Sequence, residues 1–210
     1  MITDKTRLKT AMTNLFHHLD ELLAKKIDPV DHEAEIWERY GQTVAVMILD
    51  SSGFSRISEE HGILHFLTRL VLMRNVVQPV IEEHSHVEFK FEADNLYAVF
   101  NHPDDAIRAA MKAHSVVKEN NIMLTHKEPF RVCIGIGYGK LLYSETMEGY
   151  FGEEMNLASK LGEDTAEGGE TLLTNAAFEH ADPDLVKPFE RMFLSIAGIE
   201  ASYYRHQFEG

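Results

Sequence analysis

The stretch Val44-Ala45-Val46-Met47-Ile48-Leu49-Asp50-Ser51-Ser52-Gly53-Phe54-Ser55 decides the fold. Its first six residues are apolar without alternation, the pattern of a strand buried on both faces, which predicts a strand over about 43–49. A carboxylate, Asp50, stands at its end, and Gly53 breaks the chain into a turn before a helical pattern begins. Backbone N–H groups of such a turn, at the start of a helix, point at an anion, and glycine allows its close approach. The ordinary alternative is a strand-to-helix turn with a serine cap.

Working outward, residues 4–26 carry Leu8, Met12, Leu15, Leu19 and Leu22 at spacings of three and four, an amphipathic helix capped by Asp4. It ends at Asp28-Pro29, because the residue before proline is pushed out of helical geometry. This helix packs either on its own domain or on a partner subunit. Residues 30–42 read as a polar connector around Trp37, so the chain divides into a helix and connector over 1–42 and a domain over 43–210. Downstream, a helix is predicted over 56–82, with Pro79 as a point of kinking or shortening. Strands over 86–91 and 95–100 are joined by a turn at Ala93-Asp94, and a helix follows over 104–119. A strand over 130–139 ends in glycines, with 141–146 as its returning hairpin partner. A helix over 153–161, a short strand at 171–173 and two strands within 189–208, turning near Ala197-Gly198, complete the chain. The order β-α-β-β-α-β with C-terminal additions predicts an α+β fold of the ferredoxin-like kind, an antiparallel sheet with helices on one face.

Bulk composition narrows the function. Twenty basic against 34 acidic residues give a net charge of −14, which argues against nucleic acid or an anionic membrane as the main partner. A nucleotide remains compatible, since a small site can be locally positive. The single cysteine, Cys133, lies in an apolar run, reads as a small buried hydrophobe and permits no disulfide framework. No signal peptide or membrane span is predicted, and the expected location is the cytoplasm.

Three constellations carry chemistry. Asp50 and Asp94 both sit where strands meet turns, and two carboxylates there can hold divalent magnesium or manganese together with substrate phosphates. Two such ions per site can neutralise the attacking and leaving oxygens of an in-line displacement. The turn Ser51-Ser52-Gly53-Phe54-Ser55 is the second. The third is Gly152-Glu153-Glu154-Met155-Asn156-Leu157-Ala158-Ser159-Lys160, where Asn156 and Lys160 share a helix face and can stabilise charge on a transferring phosphoryl group. The pairs His61/His65 and His84/His86 are of the kind expected by chance among twelve histidines.

Together these motifs resemble the class III nucleotidyl cyclase catalytic domain family, the adenylate and guanylate cyclases. Asp50-x-x-Gly53-Phe54-Ser55 resembles the first metal motif, Lys90-x-x-x-Asp94 the second, and Gly152-x-x-x-Asn156-x-Ala158-x-Lys160 the family's catalytic helix. The resemblance implies cyclisation of a nucleoside triphosphate to a 3′,5′-cyclic nucleotide and pyrophosphate, with Mg2+ or Mn2+ held by Asp50, the Ser51 backbone and Asp94. It implies that Ser52, Gly53, Phe54 and Ser55 cradle the triphosphate and that Lys90 and the Gly149 position face the base. It also implies a homodimer with shared sites, Asp50 and Asp94 coming from one chain, and Lys90, Asn156 and Lys160 from the other.

The chain departs from the family pattern at three points. Gly149 stands where adenylate cyclases carry a base-reading aspartate or threonine, leaving Glu148 and Tyr150 as nearby replacements. Lys160 replaces an arginine, keeping the charge and losing its two-pronged grip. Ser195-Ile196-Ala197-Gly198-Ile199 lacks the lysines of the family's C-terminal segment, with Arg191 and Arg205 as candidate substitutes. Two readings follow. One is a divergent cyclase making cyclic UMP, cyclic CMP or cyclic AMP as a second messenger, with the pyrimidine branch of the family serving antiphage signalling. The other is a catalytically degenerate cyclase-homology domain that binds a nucleotide or a partner.

Overall fold

The apolar run is the centre of the sheet. In the computed structural model, residues 15–84, 86–145, 149–196 and 199–208 are described, with backbone only for 194–196 and 199–201. β1 (Gly41–Ser51) lies between β3 (Asn95–Phe100) and β4 (Val132–Ser144), antiparallel to both. β2 (His86–Glu92) pairs with β3 at one edge. On the other side follow β6 (Glu170–Thr174), β8 (Ile199–Gln207) and β7 (Glu190–Ile196), giving the order β2-β3-β1-β4-β6-β8-β7. β5 (Gly149–Phe151) pairs with the end of β4 outside that path. The first four strands have the β2-β3-β1-β4 order of a ferredoxin-like core, so the predicted fold class and its C-terminal strands are found.

Each face of β1 has its own layer, which is why its apolar residues do not alternate with polar ones. Ala45, Met47 and Leu49 pack with α4 (Ile63–Glu83) and α5 (Pro103–Glu119), on Phe66, Leu70, Met73, Ala106, Ala109 and Ala113. Val44, Val46 and Ile48 pack instead with Leu141, Tyr150 and Ala158. Met47, Ile48 and Leu49 are fully buried, and such side chains each contribute roughly 1.5–3 kcal/mol of burial. Helices therefore cover both faces rather than one. The second face takes α6 (Glu153–Ser159), which reaches it because Gly135, Gly137 and Gly139 alternate along β4. A Cβ at Gly135 would lie 2.2 Å from the Ala158 carbonyl oxygen, and one at Gly137 2.5 Å from that of Glu154.

Those glycines explain the main correction. They serve helix packing and not a turn, so 141–146 does not return as a hairpin: β4 runs unbroken to Ser144, pairing with β1 over Val132–Leu142 and with β5 over Leu142–Ser144. The predicted 56–82 helix is two, α3 (Phe54–His61) and α4, separated by Gly62 at φ +88°. Pro79 lies inside α4 without ending it. The 30–42 connector is a 3-10 turn (Pro29–His32) and α2 (Glu33–Tyr40), which leads straight into β1. Of the predicted 4–26 helix, Leu15–Ala24 is found as α1, and its earlier part, with Asp4, Leu8 and Met12, lies outside the described residues. Leu15 and Leu22 of α1 form a small core with Ile36 and Tyr40 of α2, and Leu142 of β4 packs against it. Two short helices after β6, α7 (Asn175–His180) and α8 (Pro183–Val186), are not in the sequence prediction. Among the described residues no helix is long and apolar enough to cross a membrane.

Candidate active site

Asp50 is the penultimate residue of β1, and Asp94 follows Ala93 in the β2–β3 turn. Ala93 adopts φ +51°, and its carbonyl accepts a hydrogen bond from Arg74 of α4, whose guanidinium also lies over the Phe91 ring. The turn is thereby fixed to the helix layer. The Ser51 backbone N–H donates to Asp50 Oδ1 at 2.7 Å, and the Ser51 hydroxyl donates to Asp94 Oδ2 at 3.2 Å. One buried serine thus holds the two carboxylates, 44 residues apart in sequence, at a single corner.

That corner is charged beyond what its surroundings support. Burial pushes the Asp50 carboxyl up from 3.8 to about 6; the Ser51 N–H opposes this, and the negative charges of Asp94 and Glu163 add to it. Glu163 lies in the π-helical turn Lys160–Thr165 that follows α6. Across the ladder from Asp50 is Cys133, whose thiol is pushed up to about 12, first by burial and then by the charge of Asp50. It stays protonated, so the donors of the corner are oxygens. Among the described residues no set of three or more His, Cys, Asp or Glu side chains converges to hold a metal. Two carboxylates suit a hard cation that draws its remaining ligands from phosphate and water.

Beside the corner, Ser52 N–H and Oγ both donate to the Arg131 carbonyl, at 3.1 and 2.9 Å, and Gly53 takes φ +89° before α3 starts. Phe54 packs its ring edge-on against Phe66, and Ser55 is exposed. Ser52 and Gly53 line an open cavity of about 610 Å3 with Arg56, Lys127 and Arg131. Arg56 is paired with Glu60 and Glu128.

The other predicted residues gather elsewhere. Lys90, Gly149 and Asn156 line a second cavity of about 610 Å3 with Tyr97, Tyr143 and Met155. α6 is anchored there through Glu154, whose carboxylate accepts from the Tyr138 N–H and the Thr174 hydroxyl. Lys90 Nζ lies 3.2 Å from Glu92 and 5.7 Å from the centre of the Tyr97 ring. Lys160 does not line this cavity; at the start of the π-helical turn it pairs with Asp164 at 3.1 Å. Asn156 and Lys160 are still one α-helical turn apart, the Lys160 N–H donating to the Asn156 carbonyl, but only Asn156 lines the cavity. Tyr150 is turned to Gln42, to which its hydroxyl donates at 3.1 Å, while Glu148 lies outside the described residues. Arg191 donates to Ser202, and Arg205 pairs with Glu170 and Glu190. Glu163, Tyr97 and Arg131 are the additions that sequence reasoning missed. Arg131 sits just before an apolar strand, but only the register of β4 brings it to the Ser52 turn.

The model of the adenylate and guanylate cyclase catalytic domain matches residues 37–198. The chain belongs to that family. Solved structures share the fold: an adenylate/guanylate cyclase/hydrolase from Silicibacter pomeroyi is 20% identical with a TM-score of 0.69, covering 81% of this chain and 98% of that one. The guanylyl cyclase Cya2 is 19% identical with a TM-score of 0.65, over 79% and 91%. The adenylyl cyclase CyaB from P. aeruginosa is 22% identical with a TM-score of 0.58, over 79% and 93%. No curated protein matches the sequence. Within this cyclase fold the Asp50–Asp94 corner and the Lys90 cavity are two separate groups of residues on one chain.

Proposed function

We propose that the chain is a nucleotidyl cyclase whose active site is completed across a homodimer, converting a nucleoside triphosphate to a 3′,5′-cyclic nucleotide and pyrophosphate. The observation that carries this reading is the Ser51-bridged pair Asp50 and Asp94 at the end of β1. Asp50, Asp94 and the Ser51 carbonyl would hold Mg2+ or Mn2+. Bound there, the ions supply charge to the 3′-hydroxyl and the phosphate oxygens. The N–H groups of Gly53, Phe54 and Ser55 would hold the triphosphate chain at the start of α3, with Arg131 beside them in the adjoining cavity.

From the second chain, Lys90 would donate to a ring acceptor of the base, and Gly149 leaves the opposite wall without a side chain. Asn156 would orient the ribose and the transferring phosphate, and Lys160, released from Asp164, would meet developing charge. A pyrimidine triphosphate or ATP fits this half-filled wall. The product would be a second messenger made in the cytoplasm, and a part in antiphage signalling rests on the family resemblance alone.

The test is to incubate the purified protein with ATP, GTP, CTP or UTP and Mn2+ and to identify products by mass. A metal-dependent cyclic nucleotide from at least one substrate supports the proposal. Folded dimer that binds nucleotide and forms none from any of the four supports the binding-module reading instead.

A further inference from the structure

The two groups of site residues are joined within each chain by Tyr97 and Glu163. Lys90 and Tyr97 are direct partners in the β2–β3 ladder and share a face, with the Lys90 ammonium 5.7 Å from the ring centre. The Tyr97 hydroxyl donates to Glu163 Oε1 at 2.9 Å. The same oxygen accepts from Asn95 Nδ2 at 3.0 Å, and Asn95 is the residue after Asp94. Glu163 in turn belongs to the π-helical turn that continues the Asn156 helix.

That turn is held in place by its backbone. The Ala166 N–H reaches back five residues to the Leu161 carbonyl at 2.8 Å, and the Thr165 hydroxyl donates to the Lys160 carbonyl at 2.9 Å. A Cβ on Gly162 would lie 2.9 Å from both Gly135 N and the Ile48 carbonyl oxygen, so the turn is pressed onto β1 and β4. Glu163 is therefore a fixed post, and π-helical insertions of this kind often re-aim side chains at functional sites.

We propose that Tyr97 and Glu163 are positioning residues that hold Lys90 and the Asp94 turn in register. The inference rests on the shared-site cyclase reading. In a two-fold dimer, Lys90 of a chain serves one site and Asp94 of the same chain serves the other. The link then makes the geometry of each site depend on the other.

The experiment is Mn2+ binding by electron paramagnetic resonance on the full chain without nucleotide, beside kcat and KM, for Tyr97→Phe, Glu163→Gln and the double variant. Tyr97 touches neither metal carboxylate, yet Tyr97→Phe is expected to weaken Mn2+ binding about fivefold and to raise KM by a similar factor. In the Glu163→Gln background the same change should have no further effect, since coupled residues are non-additive. Thermal unfolding of Tyr97→Phe is expected to match the parent, and if that variant does not fold, Asn95→Ala carries the same comparison against Glu163→Gln. Mn2+ affinity unmoved by Tyr97→Phe, or equal losses in both backgrounds, overturns the link while leaving the cyclase reading intact. Mn2+ binding that responds as expected in a protein that makes no cyclic product leaves the link standing and removes the cyclase reading. A parent protein that binds no Mn2+ either without nucleotide or with a nucleoside triphosphate present overturns both.

Discussion

The Asp50–Asp94 corner and the Lys90 cavity are built in opposite ways. At the corner, short side chains sit on strand ends, a buried serine bridges them, and the ladder fixes their spacing before any ligand arrives. In the cavity, longer side chains on an edge hairpin and a short helix are partly exposed: Lys90 leans on Glu92 and Tyr97, and Asn156 is open to solvent. The corner is a preorganised electrostatic site that costs the fold something. In the proposed dimer the cavity would be half of a wall completed by the second chain. A site shared between chains calls for this division, because the rigid half can hold charge on its own while the softer half closes on the substrate.

The largest break in the comparison comes from the corner. Asp50→Asn is expected to lower kcat by about a thousandfold or more, since charge stabilisation by bound metal is worth several kcal/mol. Cyclic product measured by mass checks it, and activity within tenfold of the parent would remove Asp50 from the metal site. Asn156→Ala is expected to lower kcat by about a hundredfold with little change in Mn2+ affinity. Equal loss of metal binding in that variant would show that the two groups are not separate.

Two smaller effects concern stability. Gly135→Ala forces a Cβ into the Ala158 carbonyl, a backbone contact that cannot swing aside. A loss of about 1–3 kcal/mol is expected in urea unfolding, because α6 must lift from β4. No loss would mean that the helix carrying Asn156 is looser on the sheet than the glycine stripe implies. The last effect has the opposite sign. In metal-free protein the folded Asp50 carboxyl is pushed from 3.8 to about 6 by burial. The folded state therefore holds this proton where the unfolded chain has lost it, so stability falls as pH rises between about 4 and 6. The carboxyl is partly in water, which screens the effect, and Asp50→Asn should stabilise the chelator-treated protein by about 1–2 kcal/mol at pH 7. That gain should vanish near pH 4. A variant both inactive and more stable is the mark of a site that holds charge at the expense of the fold.

Much of this was legible in the sequence. An apolar run without alternation meant two covered faces, and Ala93-Asp94 between two short strands meant a hairpin tip. The alternating glycines of β4 were not legible as a helix seat, because in sequence they look the same as a turn. Gly62 was hidden by the apolar period on both sides of it. Asp50, Ser51 and Asp94, expected as metal ligands, come together at one corner because strand ends are fixed by ladders. Glu163, Tyr97 and Arg131 were invisible because their neighbours come from register and from one π-helical turn, and neither leaves a pattern in the chain. Lys160 follows Asn156 by one α-helical turn, as its spacing implies, and its ammonium pairs one turn further on with Asp164.

The central claim is that each site takes its metal corner from one chain and its Lys90 and Asn156 wall from another. Mixing Asp50→Ala with Asn156→Ala protein tests it directly. Each is inactive or nearly so alone, and every mixed dimer would contain one site built wholly from unaltered halves. Activity is expected to recover to about a quarter of the parent value, since half the dimers are mixed and half their sites intact. A mixture no more active than the sum of its two components would contradict the shared site.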